Sequence, residues 1–117
     1  MFGLNNNSRY YFCTRTVDMR NGINGLYKLV KNEMDLIPIS GDIFIFLSRN
    51  KQNIKLLKWD GDGFLLYHKR LEKGTFEKPS FQTESSSCHL PWDTFVMIMS
   101  GVSLKSARYR KRLKMSI

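Results

Sequence analysis

Residues 43–47 read Ile-Phe-Ile-Phe-Leu, five large apolar side chains in an unbroken row. Successive side chains of a strand point to opposite faces. A β-prone run that is apolar at every position therefore needs cover on both faces, as a central strand has. A membrane-spanning helix needs about 20 apolar residues, and no apolar run in these 117 residues is longer than this one. The chain is thus expected to build a sheet around residues 42–48, and at this length it can bury a core without disulfide staples.

The neighbouring residues extend that sheet. Arg49–Asn53 is a polar turn and Ile54–Asp60 a second strand. Asp60-Gly61-Asp62-Gly63 is a hairpin signal, because Asp and Gly tolerate the positive φ of tight turns. Phe64–Leu71 returns as a third strand, so residues 42–71 are expected to form an antiparallel meander. Tyr10, Tyr11 and Phe12 make Arg9–Cys13 β-prone as well. Ile23, Leu26, Tyr27, Val30 and Met34 recur at helical spacing, as do Trp92, Phe95, Val96 and Met99; each stripe predicts a helix with one face on the core. Phe81–His89, with serines at 85–87, is expected to be a mobile loop. The predicted fold is α+β: an antiparallel sheet, the meander 42–71 plus a strand near 9–13, packed with two helices and followed by a basic C-terminal arm. One domain is expected over 1–104 and the arm over 105–117.

Charge is where the sequence turns toward function. The net is +9, from 19 basic and 10 acidic residues. Lys105, Arg108, Arg110, Lys111, Arg112 and Lys114 fall within ten residues, and no acid follows Asp93. Such an arm repels itself unless it meets an anion. Lys and Arg at this spacing suit phosphate contacts, and Tyr109 among them can stack on a base. On a helix, Lys105, Arg108 and Arg112 would share a face. These seven residues are the expected DNA-binding set, acting on the backbone with weak sequence selectivity. A secondary basic surface is drawn from Arg20, Arg49, Lys51, Lys55, Lys69 and Arg70. For Arg20 an ion pair with Asp18 or Asp42 is the favoured role, fixing a strand-to-helix connection. Trp59 and Tyr67, on neighbouring predicted strands, are expected to pack as a cross-strand pair.

Catalytic and metal chemistry find little footing. Asp60 and Asp62 are explained by the turn, Asp18 by capping and Asp42 by its place before a strand, so no carboxylate cluster for metal-dependent phosphoryl transfer is expected. Cys13, His68, Cys88 and His89 lack zinc-ligand spacing, and Cys88-His89 has no orienting third group for nucleophilic catalysis. Gly61-x-Gly63 is a hairpin turn, not a phosphate loop. The two cysteines are expected as free thiols. No cofactor and no metal are expected. Met1–Ser8 is polar and Asn-rich with no secretory pattern, so a cytoplasmic location without membrane contact is expected.

Four blocks also match a known family in order: Asp18-Met19-Arg20-Asn21-Gly22-Ile23-Asn24-Gly25-Leu26, Gly41-Asp42-Ile43-Phe44-Ile45-Phe46, the segment from Lys55 to Phe64, and that from Tyr67 to Phe76. They resemble the small accessory protein encoded beside the transposase in the sixty-six class of bacterial insertion sequences, often labelled TnpB or the second open reading frame. The resemblance runs from about Met1 to Gly101, departs at the Ser-rich stretch 83–88, and includes the basic character of the tail. It implies a part in transposition and no established catalytic activity. The expected function is therefore a non-enzymatic transposition factor that binds DNA through the arm and also binds the transposase. The alternative is a protein-interaction adaptor of the transposase without direct DNA contact, resting on the apolar helix at 91–100.

Overall fold

The computed structural model describes residues 3–80 and 84–101. Five strands and two helices follow in the order β1 (Tyr10–Cys13), α1 (Ile23–Asn32), β2 (Ile43–Leu47), β3 (Asn53–Trp59), β4 (Phe64–Arg70), β5 (Ser87–Leu90) and α2 (Trp92–Met99). The strands form one sheet in the order β4-β3-β2-β1-β5.

The apolar run sets this arrangement. All five of its side chains are at most 1% exposed, and β2 takes the middle of the sheet. Ile43, Ile45 and Leu47 join Tyr10, Phe12, Ile54, Leu56 and Leu90 under Phe95, Ile98 and Met99 of α2. Phe44 and Phe46 join Cys13, Val17 and Leu57 under Leu26 and Val30 of α1. The fold is α+β in three layers, with one helix on each face. Burying a side chain of this size stabilises the fold by about 1.5–3 kcal/mol, and β2 contributes such side chains beneath both helices.

The meander is as its turn residues dictate. β2 pairs β3 and β3 pairs β4, both antiparallel. Asp60 N donates to Gly63 O at 2.8 Å, and Gly61 takes φ +86, closing a two-residue hairpin. The sheet as a whole, however, is mixed and not antiparallel. β1 runs parallel to β2, with Tyr10 beside Ile43 and Phe12 beside Ile45. A parallel neighbour needs a crossover, and α1 supplies it.

The second correction lies in the Ser-rich segment. Ser87–Leu90 is not loop but an edge strand antiparallel to β1, placing Cys88 opposite Phe12 and Leu90 opposite Tyr10. Its one deeply buried side chain, Leu90, and its pairing with a distant strand outweigh its polar composition. Both helices form where the stripes place them, with Leu26, Val30, Phe95 and Met99 buried, but Ile23 and Val96 of the stripes are exposed and Met34 is buried just beyond the end of α1. The expected pairing of Trp59 with Tyr67 fails on parity. Tyr67 lies opposite Leu56 and shares the α2 face, whereas Trp59 lies opposite Phe64 on the α1 face. Trp59 instead meets Phe64 edge-on at 5.0 Å.

Candidate nucleic-acid interface

Parallel β1 and β2 send their C-terminal ends to the same end of the sheet, where the start of β3 and the finish of β4 also lie. The connections there are 14–22, 48–52 and 71–76. Residues 14–22 cross over β2, and Val17 N donates to Leu47 O at 2.8 Å. Asp18 then organises the bend. Its Oδ1 accepts from Arg20 N at 2.8 Å, and its carboxylate holds the Arg20 guanidinium at 2.7 Å. Arg20's hydrogen bonds hold the Asp18 carboxyl down at about 2, well below the ordinary range. The pair is open to water, with Arg20 side-chain exposure at 91%. It tethers Arg20 at the surface. No side chain caps α1, whose N-cap is Gly22.

Beneath this loop stands a residue whose role the sequence did not disclose. Lys55 is only 8% exposed, on the α1 face between buried neighbours. Its Nζ donates to the carbonyl oxygens of Met19 at 2.8 Å and Asn21 at 2.9 Å. A buried ammonium is tolerated only when its protons are satisfied. Here the main chain of the Met-Arg-Asn-Gly segment satisfies it, so Lys55 fixes the loop from below. The loop and the turn 48–53 enclose a crevice of about 520 Å³, lined by Thr16, Val17, Asp18, Met19, Ser48, Arg49, Asn50 and Asn53.

Charge divides between the two ends of the sheet. The loop end carries Arg15, Arg20, Arg49, Lys51, Arg70, Lys73 and Lys78 against Asp18, Glu33, Glu72, Glu77 and Glu84. The opposite end carries Arg9 and Lys58 against Asp42, Asp60, Asp62 and Asp93. Arg9 there is held by Asp42 at 3.1 Å. α2 starts against Tyr10, with Phe95 stacked on it at 4.2 Å. It finishes at the loop end, where Met99 O accepts from Lys69 Nζ at 2.7 Å.

The residues expected to bind DNA fall into two groups. Lys105, Arg108, Tyr109, Arg110, Lys111, Arg112 and Lys114 lie outside the described residues. The secondary set is not one surface. Arg20, Arg49 and Lys51 are exposed around the loop end. Arg70 is exposed on β4 and pairs Glu72 at 3.1 Å. Lys55 is internal, and Lys69 faces the α2 side, where it serves the helix end. Side-chain parity along β3 and β4 separates them, since Lys55 and Arg70 share one face and Lys69 the other. Arg15 belongs to the loop end but was not in the set, and Lys73, which follows Lys69 and Arg70 in the same basic cluster of the sequence, joins it there.

The remaining polar groups are accounted for structurally. Among the described residues no three His, Cys, Asp or Glu side chains are grouped to hold a metal ion. Cys13 and Cys88 are free, and burial pushes both thiols up. His68 meets Asn53 Oδ1 at 2.9 Å, and burial together with Lys55 and Arg70 lowers its imidazole below the ordinary range. No described helix is long and apolar enough to cross a membrane.

Comparison with known proteins adds a family. Residues 8–109 match the model of the IS66 Orf2-like proteins, TnpB of IS66. Two relatives come from Sinorhizobium fredii. Uncharacterized protein y4jC is 32% identical over 102 residues, covering 87% of this chain and 86% of that protein. Uncharacterized protein y4hO is 36% identical over 74 residues, covering 63% of this chain and 64% of that protein. No solved structure matches.

Proposed function

Because the chain belongs to the IS66 Orf2-like family, we propose that it is a non-enzymatic accessory factor in the transposition of an insertion sequence, binding DNA backbone and docking on the transposase. The observation that carries the DNA-binding part is the division of charge between the ends of the sheet. Exposed Arg15, Arg20, Arg49, Lys51 and Lys73 lie at the loop end of the sheet, the end at which α2 finishes, a few residues in sequence before the basic stretch 105–114. In this scheme residues 1–104 are the folded body and 105–117 an arm that continues its phosphate-binding surface. The chemistry of the site in this scheme is charge neutralisation. The setting is the cytoplasm, where the DNA is.

Phosphate contacts release counterions, which makes affinity fall with salt. Neutralising about four to six phosphates gives a slope of log affinity against log salt near −4 to −5. The test is a salt series on a labelled element-end duplex and a scrambled duplex of equal length, with the full chain and a chain ending at Val102. Steep, nearly equal slopes on both duplexes, with a large loss on truncation, are expected. Equal affinity of the two chains would remove the arm from the mechanism, and absence of binding at low salt would refute DNA contact.

A second reading rests on the groove between β4 and α2. About 320 Å³ in volume, it is lined by Tyr67, Lys69, Trp92, Phe95, Val96, Met99 and Ser100, and Val96 is 40% exposed. An adaptor docking on the transposase without touching DNA would use such a face. Capture of the transposase that survives nuclease treatment and is lost in Val96→Asp distinguishes it.

A further inference from the structure

β4 is an end strand of the sheet, and among the described residues no strand pairs with its outer edge. The hairpin shows which of its backbone groups face out. Asp60 N bonds Gly63 O, and Leu71 N bonds Gln52 O, so these are hydrogen-bonded pairs of the β3–β4 ladder. In an antiparallel ladder such pairs alternate with non-bonded ones. Residues 65, 67 and 69 therefore bond inward, while Phe64, Leu66, His68 and Arg70 turn both N–H and C=O outward.

Natural edge strands are shielded by proline, bulges, shortness or charged side chains, and β4 carries its charge only at its end, in Lys69 and Arg70. β4 has none of the first three. It runs seven residues in unbroken register with β3 and contains no proline. Leu65 is 36% and Leu66 37% exposed, on opposite faces of the sheet. Of its cations, Lys69 is drawn back onto Met99 O. Charge is graded along the segment: Asp60 and Asp62 precede the apolar stretch Phe64–Tyr67, and Lys69, Arg70 and Lys73 end it.

A strand acidic at its start and basic at its finish is complementary to itself when reversed, and to a parallel copy it is repulsive. We propose that two copies of this chain associate edge to edge through β4, antiparallel, about a two-fold axis at Leu66. In that register Leu66 meets its counterpart, Phe64 lies opposite His68, and Asp62, in the turn that leads into the strand, comes to the side of Arg70 of the second copy. The outward N–H and C=O groups of Phe64, Leu66 and His68 are then all paired, and the two sheets become one. The contact is isologous, so each cross-strand pair occurs twice, and it leaves the loop end of both copies open.

Sedimentation equilibrium of the nucleic-acid-free full chain at 0.15 M salt tests this, with far-UV circular dichroism confirming that each variant is folded. The wild type is expected to dimerise. Leu66→Lys, which sets like charges opposite each other on the axis, is expected to weaken association at least tenfold. Asp62→Arg and Arg70→Asp are each expected to weaken it severalfold, since each sets like charges face to face. Mixing those two variants restores opposite charges at both contacts, so they are expected to form a heterodimer with near wild-type affinity. A wild type that stays monomeric at all concentrations overturns the proposal. So does a dimer indifferent to Leu66→Lys, or a mixture of the charge variants that associates no better than either alone.

Discussion

The side chain of Asn21 fills the space that a side chain on residue 25 would need. A Cβ at Gly25 would collide with Asn21 Oδ1 and stand 3.0 Å from its Cγ. Asn21 is not free to swing away, because its Nδ2 donates to Asp18 O at 2.9 Å. Alanine ordinarily improves on glycine within a helix by about 1 kcal/mol. Here the sign reverses: Gly25→Ala is expected to cost about 1–2 kcal/mol in urea unfolding through overpacking. Adding Asn21→Ala should return part of that loss. A stabilised Gly25→Ala chain would contradict the contact.

Lys55 is a lysine whose loss leaves two acceptors stranded. Replacing it with Met keeps the buried stem and removes the donor from Met19 O and Asn21 O. A buried polar group left without a partner costs about 1–3 kcal/mol, and Lys55→Met is expected to lose that much. The denaturant slope should stay unchanged, since the surface exposed on unfolding is the same. Undiminished stability would mean that the two carbonyls find other donors.

Acid should be felt through His68. Its folded-state imidazole lies below the ordinary range because of burial, Lys55 and Arg70, so the unfolded chain takes up the proton first as pH falls. Stability then holds above the unfolded value of about 6.5 and declines as pH drops below it. His68→Gln keeps a donor for Asn53 and removes the titration. The wild type is expected to lose stability as pH falls below about 6.5 relative to this variant. Parallel profiles would assign the acid response elsewhere.

The loop end makes its own contribution to DNA affinity if the proposed function holds. Arg49 and Lys51 are exposed on the β2–β3 turn. Replacing both with Ala should weaken binding alike on element-end and scrambled duplexes, and reduce the salt slope by about 2, one for each lost phosphate contact. An unchanged slope would leave the arm as the whole of the interface.

What the sequence disclosed follows the range of the interactions. The β3–β4 hairpin was legible because Asp60-Gly61-Asp62-Gly63 specifies its own turn. The burial of β2 was legible because five consecutive apolar residues leave no polar face. Both helices were legible from spacing alone. The parallel pairing of β1 was not, because strand direction depends on where a helix delivers the chain rather than on any residue in Tyr10–Cys13. β5 was hidden for a similar reason: Ser87, Cys88 and His89 read as loop until β1 lies beside them.

At the candidate site the divide is the same. The Asp18–Arg20 pair was legible as one of two local partnerships, although it proves exposed. Lys55 was placed among surface cations because nothing in Ile54-Lys55-Leu56 announces two carbonyls 34 and 36 residues away. Lys69 was misplaced by one residue of parity, which sends it to α2 while Arg70 stays on the other face.

The pairing of β1 with β5 also sets the order in which the protein can be made. β1 leaves the ribosome well before the partner on its outer edge, which is complete only at Leu90, and the helix covering that face ends at Met99. At about 5–20 residues per second, Tyr10 and Phe12 wait several seconds for Leu90 and Phe95 to bury them. The meander and α1 can assemble meanwhile on the other face. A nascent chain stalled before residue 90 would carry an uncovered apolar surface for chaperones to bind, and docking of β5 and α2 would be the event that removes it.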